Sequence, residues 1–168
     1  MNYNLPFIPE RPAKPRNVGL TMVMDKGLSL SETEGFIESS AEFVDFVKLG
    51  FGTSLITNKL KQKIKLYQKG GIRPYLGGTL FEVFIIRGLF NDFVRFVSDL
   101  GLDLVEVSDG SMKMDNKVKC DYISKLSEKF TVISEVGSKQ ADVIIPDDEW
   151  VAMMKREVEA GSWKVIAE

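Results

Sequence analysis

Charged side chains lie at the ends of short apolar segments in this sequence. Lys48, Glu106 and Glu135 each belong to a segment that is otherwise rich in Val, Ile and Leu. An ionised carboxylate in such surroundings is costly unless it is paired with a cation or bound to a metal ion. The two glutamates are therefore predicted to pair with lysine or to coordinate a metal.

Glycine and hydroxyl residues follow the same segments. Gly50-x-Gly52-Thr53-Ser54 and Gly77-Gly78-Thr79 both precede predicted helices, so their backbone amides could face an anion. Neither matches a Walker A or Rossmann fingerprint, which favours a phosphate, sulfonate or carboxylate site over a nucleotide site. The predicted substrate-binding residues are Gly52, Thr53, Ser54, Gly77, Gly78, Thr79, Ser108 and Asp109.

Composition restricts the chemistry further. The chain has no histidine, which excludes Ser-His-Asp and Cys-His catalysis and every His-ligated zinc site. Acid–base work is left to Lys, Asp, Glu or Tyr, and a metal site built from oxygen ligands favours Mg²⁺, Mn²⁺ or Ca²⁺. The single Cys120 indicates neither a disulfide nor a metal cluster.

The same composition bears on partners and location. A net charge of −2 argues against a nucleic-acid partner. No uninterrupted apolar segment is long enough to cross a membrane, and the start of the chain lacks the apolar centre of a secretory signal. The sequence therefore predicts a cytoplasmic protein that acts on small molecules.

The segments that must position these residues alternate between short apolar runs and longer amphipathic runs, which is typical of repeated β-α units. Strands are predicted at residues 18–24, 44–49, 72–76, 102–107, 131–136 and 163–167. Polar residues after the carboxyl ends of parallel strands surround one pocket. The candidate residues are therefore expected to converge.

Amphipathic runs between the strands predict the helices. The first is expected to begin at a capping box formed by Ser31 and Glu34. Apolar residues recur at helical spacing in three further runs, and acidic residues open a fifth helix near residue 147. The three predicted apolar stripes are Ile56-Leu60-Ile64-Tyr67, Phe93-Val97-Leu100 and Val118-Tyr122-Leu126.

The spacing between strands, roughly 25–32 residues, is that of a TIM-type (β/α)₈ barrel, which takes about 250 residues for eight units. The chain has room for five complete units and a sixth strand. The expectation is one α/β domain over residues 1–168 that is a truncated barrel, with an open doubly wound sheet as the alternative. Because truncation exposes two sheet edges, residues 1–168 alone are expected to be inactive and poorly soluble.

Five motifs at successive strand ends resemble those of the phosphosulfolactate synthase family. They are KPRNVGLTMVMDKG (14–27), VDFVKLGFGTS (44–54), GGTLFE (77–82), VEVSDGS (105–111) and SEVGSK (134–139). The resemblance implies a (β/α)₈ barrel that adds sulfite to phosphoenolpyruvate with Mg²⁺ and gives (2R)-phospho-3-sulfolactate. A homo-oligomer is expected, although the sequence does not give the oligomeric state.

The resemblance also implies residue roles. Lys139 would be the general acid at C2 of the substrate, and Lys26 and Lys48 would neutralise phosphate or sulfite. The candidate Mg²⁺ ligands are Glu82, Glu106 and Glu135. Asp25 and Asp109 could instead orient the lysines.

Two alternatives stay open at this point. A non-catalytic relative is one, because plant heat-stress-associated proteins resemble the same family. A Schiff-base aldolase that uses Lys48 or Lys139 is the other, because a desolvated lysine at a strand end can attack a carbonyl.

The chain departs from the family pattern at two places. One is Gln140, and the other is the end of the chain after Glu168, the glutamate of the sixth strand. The sequence leaves open whether the product leads to coenzyme M or to sulfolactate.

Overall fold

A computed structural model describes residues 5–138 and 144–168 of the chain. Six parallel strands form one sheet whose spatial order follows the chain order. The strands are β1 (Met22–Asp25), β2 (Phe46–Leu49), β3 (Arg73–Leu76), β4 (Leu104–Val107), β5 (Thr131–Val136) and β6 (Ser162–Ala167). A doubly wound sheet reverses its strand order at a switch point, whereas this sheet does not, so that alternative is wrong.

Each strand overlaps its predicted range, and the largest difference is at β1. The strand begins at Met22 rather than at residue 18. Gly19 lies between these positions with φ of +63°, in the left-handed region, which is incompatible with extended strand.

Six α-helices lie between the strands in the described residues. They are α1 (Leu30–Ser40), α2 (Leu60–Lys69), α3 (Gly78–Ile85), α4 (Phe90–Asp99), α5 (Asn116–Ser127) and α6 (Asp147–Glu159), and a short 3₁₀ turn spans Thr53–Leu55. No helix in the described ranges is long and apolar enough to cross a membrane.

Two details of the predictions for α1 and α2 are wrong. The capping box of α1 is formed by Ser29 and Glu32, two positions before the predicted pair, and the Ser29 amide donates to Glu32 Oε2 at 2.7 Å. Ile56 lies before α2 and is exposed rather than part of its buried stripe. For the capping box, a second Ser-x-x-Glu pattern nearby satisfies the same sequence rule.

The sheet curls into half of a TIM-type barrel. The rings of Phe46 on β2 and Trp163 on β6 have centroids 5.9 Å apart. In a flat sheet these strands would be separated by four spacings, about 19 Å. The contact therefore requires a strongly curved sheet with a concave and a convex face.

The two faces carry different cores. Apolar side chains on the convex face pack against the helices and form the larger hydrophobic cluster, which includes Val47, Val105 and Val132. A smaller cluster of Phe46, Tyr75, Leu104 and Ile133 lines the concave face. Alternation along each strand then places Lys48, Glu106 and Glu135 on the concave face, one step nearer the carboxyl edge.

Candidate functional site

Lys48, Glu106 and Glu135 meet on the concave face at the carboxyl edge of the sheet. The Lys48 ammonium lies 2.7 Å from Glu106 Oε1 and 3.2 Å from Glu135 Oε2. The three residues are buried, and they come from β2, β4 and β5. The structure thus brings together three of the predicted site residues as one ion-paired cluster, which we call the concave cluster.

Close packing beside the concave cluster leaves no room for a side chain at Gly77 or Gly78. A Cβ on Gly77 would lie 3.1 Å from Lys48 Cε, and one on Gly78 would clash with the side chain of Ser108. The Gly78 amide donates to Glu106 Oε1 at 2.7 Å. Both glycines therefore permit close packing, and the anion that the Gly78 amide faces is the protein's own carboxylate.

The charges of the concave cluster perturb one another. Burial opposes the charge on Lys48, but the carboxylates of Glu106 and Glu135 outweigh it and raise the pKa of Lys48. Burial also raises the pKa of Glu106, against the opposing effect of Lys48. The lysine is consequently held as a cation, whereas Glu106 takes up a proton more readily than an exposed glutamate.

Tyr75 on β3 pairs in register with Lys48 and was not predicted as a site residue. Its phenol is fully buried, and burial with the nearby carboxylates of Glu106 and Glu135 raises its pKa far above the usual range. Among the described residues, neither Tyr75 Oη nor Glu106 Oε2 has a hydrogen-bond partner that meets normal geometry. The Tyr75 phenol and the Glu106 carboxylate nevertheless interact, and this interaction contributes to the raised pKa of Tyr75.

Glu82 lies apart from the concave cluster. It is buried on α3, where it accepts hydrogen bonds from Ser108 Oγ at 2.5 Å and from the Ser111 amide at 3.0 Å. Both of its carboxylate oxygens are therefore used to fix the loop after β4. This environment gives Glu82 and Ser108 a structural task that the sequence did not indicate.

Asp25, at the end of β1, is buried on the convex side, against α2. Its Oδ2 accepts from Lys63 Nζ at 2.5 Å and from the Tyr67 hydroxyl at 2.8 Å. Its Oδ1 accepts from the amides of Gly27 and Leu28 at 2.7 and 2.8 Å. Asp25 therefore orients a lysine, as the sequence suggested, but the lysine is Lys63.

Asp109 also pairs with a buried lysine behind the sheet. Lys119 Nζ lies 2.7 Å from Asp109 Oδ1, 2.9 Å from Glu157 Oε1 and 2.5 Å from the carbonyl oxygen of Glu135. The side chains of Lys119 and Glu157 are fully buried. The predicted substrate ligand Asp109 is thus engaged with α5.

This pairing corrects the predicted stripe of α5. The buried residues of this helix are Lys119, Ile123 and Leu126, and Val118 is exposed. The spacing of Lys119, Ile123 and Leu126 is itself helical, and a lysine in line with apolar residues is the signal that could have revealed the buried cation. Lys63 on α2 is likewise one helical turn from a buried residue, Tyr67.

The remaining predicted residues lie near the carboxyl edge with other contacts. Thr53 Oγ1 donates to the Gly50 carbonyl at 2.8 Å, and Gly52 has φ of +70°, so both build the turn after β2. Ser54 is buried, and Thr79 is half-buried in the first turn of α3. Lys26 is exposed, with its ammonium 5.4 Å from the centroid of the Phe51 ring. Lys139 lies outside the described residues.

A metal site would depend on Glu106 and Glu135. Within residues 5–138 and 144–168, no three acidic or cysteine side chains come close enough to hold an ion by themselves. Glu106 Oε2 nevertheless is a buried carboxylate oxygen that accepts no hydrogen bond of normal geometry in those ranges. The pair therefore fits Mg²⁺ bound through one or two carboxylates and completed by substrate oxygens or water, while Glu82 does not join it.

The fold and the site define an α/β half-barrel with a charged cluster at its carboxyl edge. The model of the (2R)-phospho-3-sulfolactate synthase (ComA) family matches residues 9–168. Phosphosulfolactate synthase of Bacillus subtilis (strain 168) is 38% identical over 163 residues, which cover 96% of this chain and 65% of that protein. The protein of the same name from Methanothermobacter thermautotrophicus is 33% identical over 165 residues, covering 95% and 64%.

The chain therefore belongs to the (2R)-phospho-3-sulfolactate synthase family, and the predicted resemblance is confirmed. It spans 65% of the length of the Bacillus subtilis relative.

Solved structures support the fold alone. The carboxyl transferase domain of Rhizobium etli pyruvate carboxylase superposes with a TM-score of 0.56 at 12% identity, covering 88% of this chain and 27% of that one. The 3-hexulose-6-phosphate synthase of Salmonella typhimurium gives a TM-score of 0.53 at 16% identity, covering 86% and 61%.

Proposed function

We propose that the full-length gene product adds sulfite to phosphoenolpyruvate to form (2R)-phospho-3-sulfolactate, and that this chain supplies the first six strands of a (β/α)₈ barrel. The observation that carries the proposal is the concave cluster, in which Lys48 joins Glu106 and Glu135 at the carboxyl edge. Family membership adds the reaction class. The protein is proposed to be a cytoplasmic homo-oligomer.

The proposed reaction forms one carbon–sulfur bond. The sulfur lone pair of sulfite attacks C3 of phosphoenolpyruvate, and the C2–C3 π electrons move toward the carboxylate to give an enediolate. A proton then adds to C2, so that sulfite, phosphoenolpyruvate and one proton account for the product. The enzyme must hold three anionic groups together and stabilise the charge that grows on the carboxylate.

Lys48 has the properties of the group that stabilises this charge. It is buried and stays protonated because Glu106 and Glu135 raise its pKa. A permanent cation in a water-poor site favours a growing negative charge more strongly than one in water does. The same raised pKa disfavours the Schiff-base alternative for Lys48, because a lysine nucleophile must be neutral.

Mg²⁺ is proposed to bind at Glu106 and Glu135. When bound, it would act as a Lewis acid toward the substrate carboxylate. The chain's own contribution is to present the buried Oε2 of Glu106 and to orient Glu106 through the Gly78 amide. Ser54, Thr79 and Lys26 are proposed to contact the phosphate or sulfite from the surrounding loops.

Lys139 remains the proposed proton donor to C2. Replacing Lys139 with Met keeps most of the apolar stem and removes the proton. In the full-length gene product this is expected to lower turnover about 10²-fold or more, which is the scale of a positioned general acid. Near-normal turnover would remove Lys139 from this role.

The proposal is tested by incubating the full-length gene product with phosphoenolpyruvate, sulfite and Mg²⁺ and detecting the sulfonated product by mass spectrometry. Product is expected only when all three are present. Phosphate release without a sulfonated product would indicate hydrolysis instead. A folded preparation that forms no product would favour the non-catalytic relative.

A further inference from the structure

Lys119 is a buried cation that the proposed reaction does not use. Its side chain is fully buried, and its ammonium contacts Asp109, Glu157 and the carbonyl oxygen of Glu135. A lysine ammonium has three donors, and here each has an oxygen acceptor. Burying an ion pair contributes little stability compared with apolar packing, so stability alone does not account for this arrangement.

The contact with Glu135 links Lys119 to the concave cluster. The carboxylate of Glu135 lies 3.2 Å from Lys48 on the concave side of the sheet. The main chain of the same residue is bound from the convex side, where its carbonyl oxygen lies 2.5 Å from Lys119 Nζ. Glu135 is therefore held at two points by two lysines from opposite faces.

Lys119 also contacts a residue that follows the neighbouring strand, β4. Asp109 follows β4, the strand that carries Glu106, and its Oδ1 lies 2.7 Å from Lys119 Nζ. One ammonium thus joins the carboxyl ends of β4 and β5, the strands that supply both carboxylates of the concave cluster. A shift of one end relative to the other would change the distance between those carboxylates.

Glu157 fixes the ammonium from the third side. Its Oε1 accepts from Lys119 and, at 3.0 Å, from Asn116 Nδ2, and Asn116 Oδ1 accepts from Arg156 Nε at 2.7 Å. Helices α5 and α6 are thereby cross-linked around Lys119. Its position is set by the helices rather than by the loops that it binds.

We propose that Lys119 is a positioning residue that sets the spacing of Glu106 and Glu135 by fixing the ends of β4 and β5 from behind the sheet. Its effect on turnover rests on the proposed function, but its effect on the strand ends does not. The two effects can therefore be measured separately.

The test uses the double variant Lys119→Met/Glu157→Leu in the full-length gene product, because Lys119→Met alone would leave Glu157 as an unpaired buried charge. Lys125→Met on the exposed face of α5 is the matched control. Backbone amide exchange is followed at residues 107–111 and 134–138. Turnover and KM are measured with phosphoenolpyruvate and sulfite.

The expected result is a folded double variant with amide exchange at both strand ends at least about tenfold faster than in the control. Turnover should fall about 10- to 100-fold with a smaller change in KM, because misplaced catalytic groups affect the chemical step most. If the unmodified protein forms no product, the proposed function fails while the exchange result still decides the positioning role.

Unchanged exchange and turnover in a folded double variant would overturn the inference and leave Lys119 as a purely structural residue. Should the double variant not fold, Lys119→Arg provides the second test. Arginine keeps the charge, but its planar group cannot occupy the position of the ammonium. A folded Lys119→Arg variant with exchange and turnover equal to those of the Lys125→Met control would equally overturn the positioning role.

Discussion

The molecule uses the same chemistry, a buried lysine beside carboxylates, on both faces of its sheet, with different results. On the concave face, Lys48 pairs with Glu106 and Glu135. On the convex face, Lys63 pairs with Asp25, whose carboxylate oxygens also accept from two backbone amides and a tyrosine hydroxyl. We call this second group the convex cluster.

The two clusters differ in how completely their carboxylates are hydrogen-bonded. Asp25 has four donors, and they outweigh the effect of burial and lower its pKa. Glu106 has one buried oxygen that makes no hydrogen bond of normal geometry in the described part of the chain, although the carboxylate interacts with the Tyr75 phenol, and burial raises the pKa of Glu106. A saturated cluster holds a loop, whereas an unsaturated one keeps capacity for a ligand, metal ion or proton.

The largest expected effect is on stability and comes from Lys63→Met in the convex cluster. The change leaves the buried carboxylate of Asp25 without its cation, which costs about 3–5 kcal/mol of unfolding free energy. Urea unfolding of the full-length gene product measures the loss. Lys65→Met, on the exposed side of α2, is the control and should change stability by less than about 0.5 kcal/mol. A loss below about 1 kcal/mol for Lys63→Met would show that the two clusters do not differ as described.

Lys48→Met should separate the clusters by function. Turnover is expected to fall about 10²- to 10³-fold, the scale for removing one preorganised charge-stabilising group. Stability should fall less than in Lys63→Met, because Glu106 takes up a proton readily once its cation is gone. Product formation and urea unfolding are measured on the same preparation. Turnover close to the unmodified value would remove Lys48 from the reaction.

The difference between the clusters also explains what the sequence could predict. Apolar runs with a charge at one end identified the strands and Glu106, Glu135 and Lys48, because a charge in such a run must have a partner. Lys63 and Lys119 were missed because a lysine on a helix is usually solvated. Their burial depends on which turn of the helix faces Asp25 or Asp109, and that is decided by packing between distant segments.

The next effect in size is the pH dependence of stability, which should have opposite signs in the two clusters. The folded pKa of Asp25 lies below its ordinary value of 3.8. Its contribution is therefore present above about pH 3.8 and is lost as the pH falls through the folded pKa. Asp25→Asn should cost about 1.5–3 kcal/mol at neutral pH, and the difference should shrink below pH 3.8.

The contribution of Glu106 to stability depends on pH in the opposite direction. Its folded pKa lies above its ordinary value of 4.5, so its contribution is present below about pH 4.5 and is lost as the pH rises through the folded pKa. Glu106→Gln should therefore gain stability relative to the unmodified protein as the pH rises from 4.5. Urea unfolding between pH 3 and pH 8 gives both curves. If both variants changed in stability in the same direction with pH, the described difference between the concave and convex clusters would be wrong.

The smallest expected effect tests whether unsaturation at the carboxyl edge marks ligand contacts in general. Ser54 is 4% exposed, and its hydroxyl has no hydrogen-bond partner among residues 5–138 and 144–168. Ser54→Ala should change stability by less than about 1 kcal/mol, because no hydrogen bond to another described residue is lost. Thr53→Val is the matched control, since the Thr53 hydroxyl donates to the Gly50 carbonyl, and it should cost about 1 kcal/mol.

The same two variants also test ligand contact. If Ser54 contacts the phosphate or sulfite, Ser54→Ala should raise KM about 5- to 10-fold, and Thr53→Val should raise KM less. An unchanged KM in a stable Ser54→Ala variant would show that the ligand contacts are confined to the concave cluster.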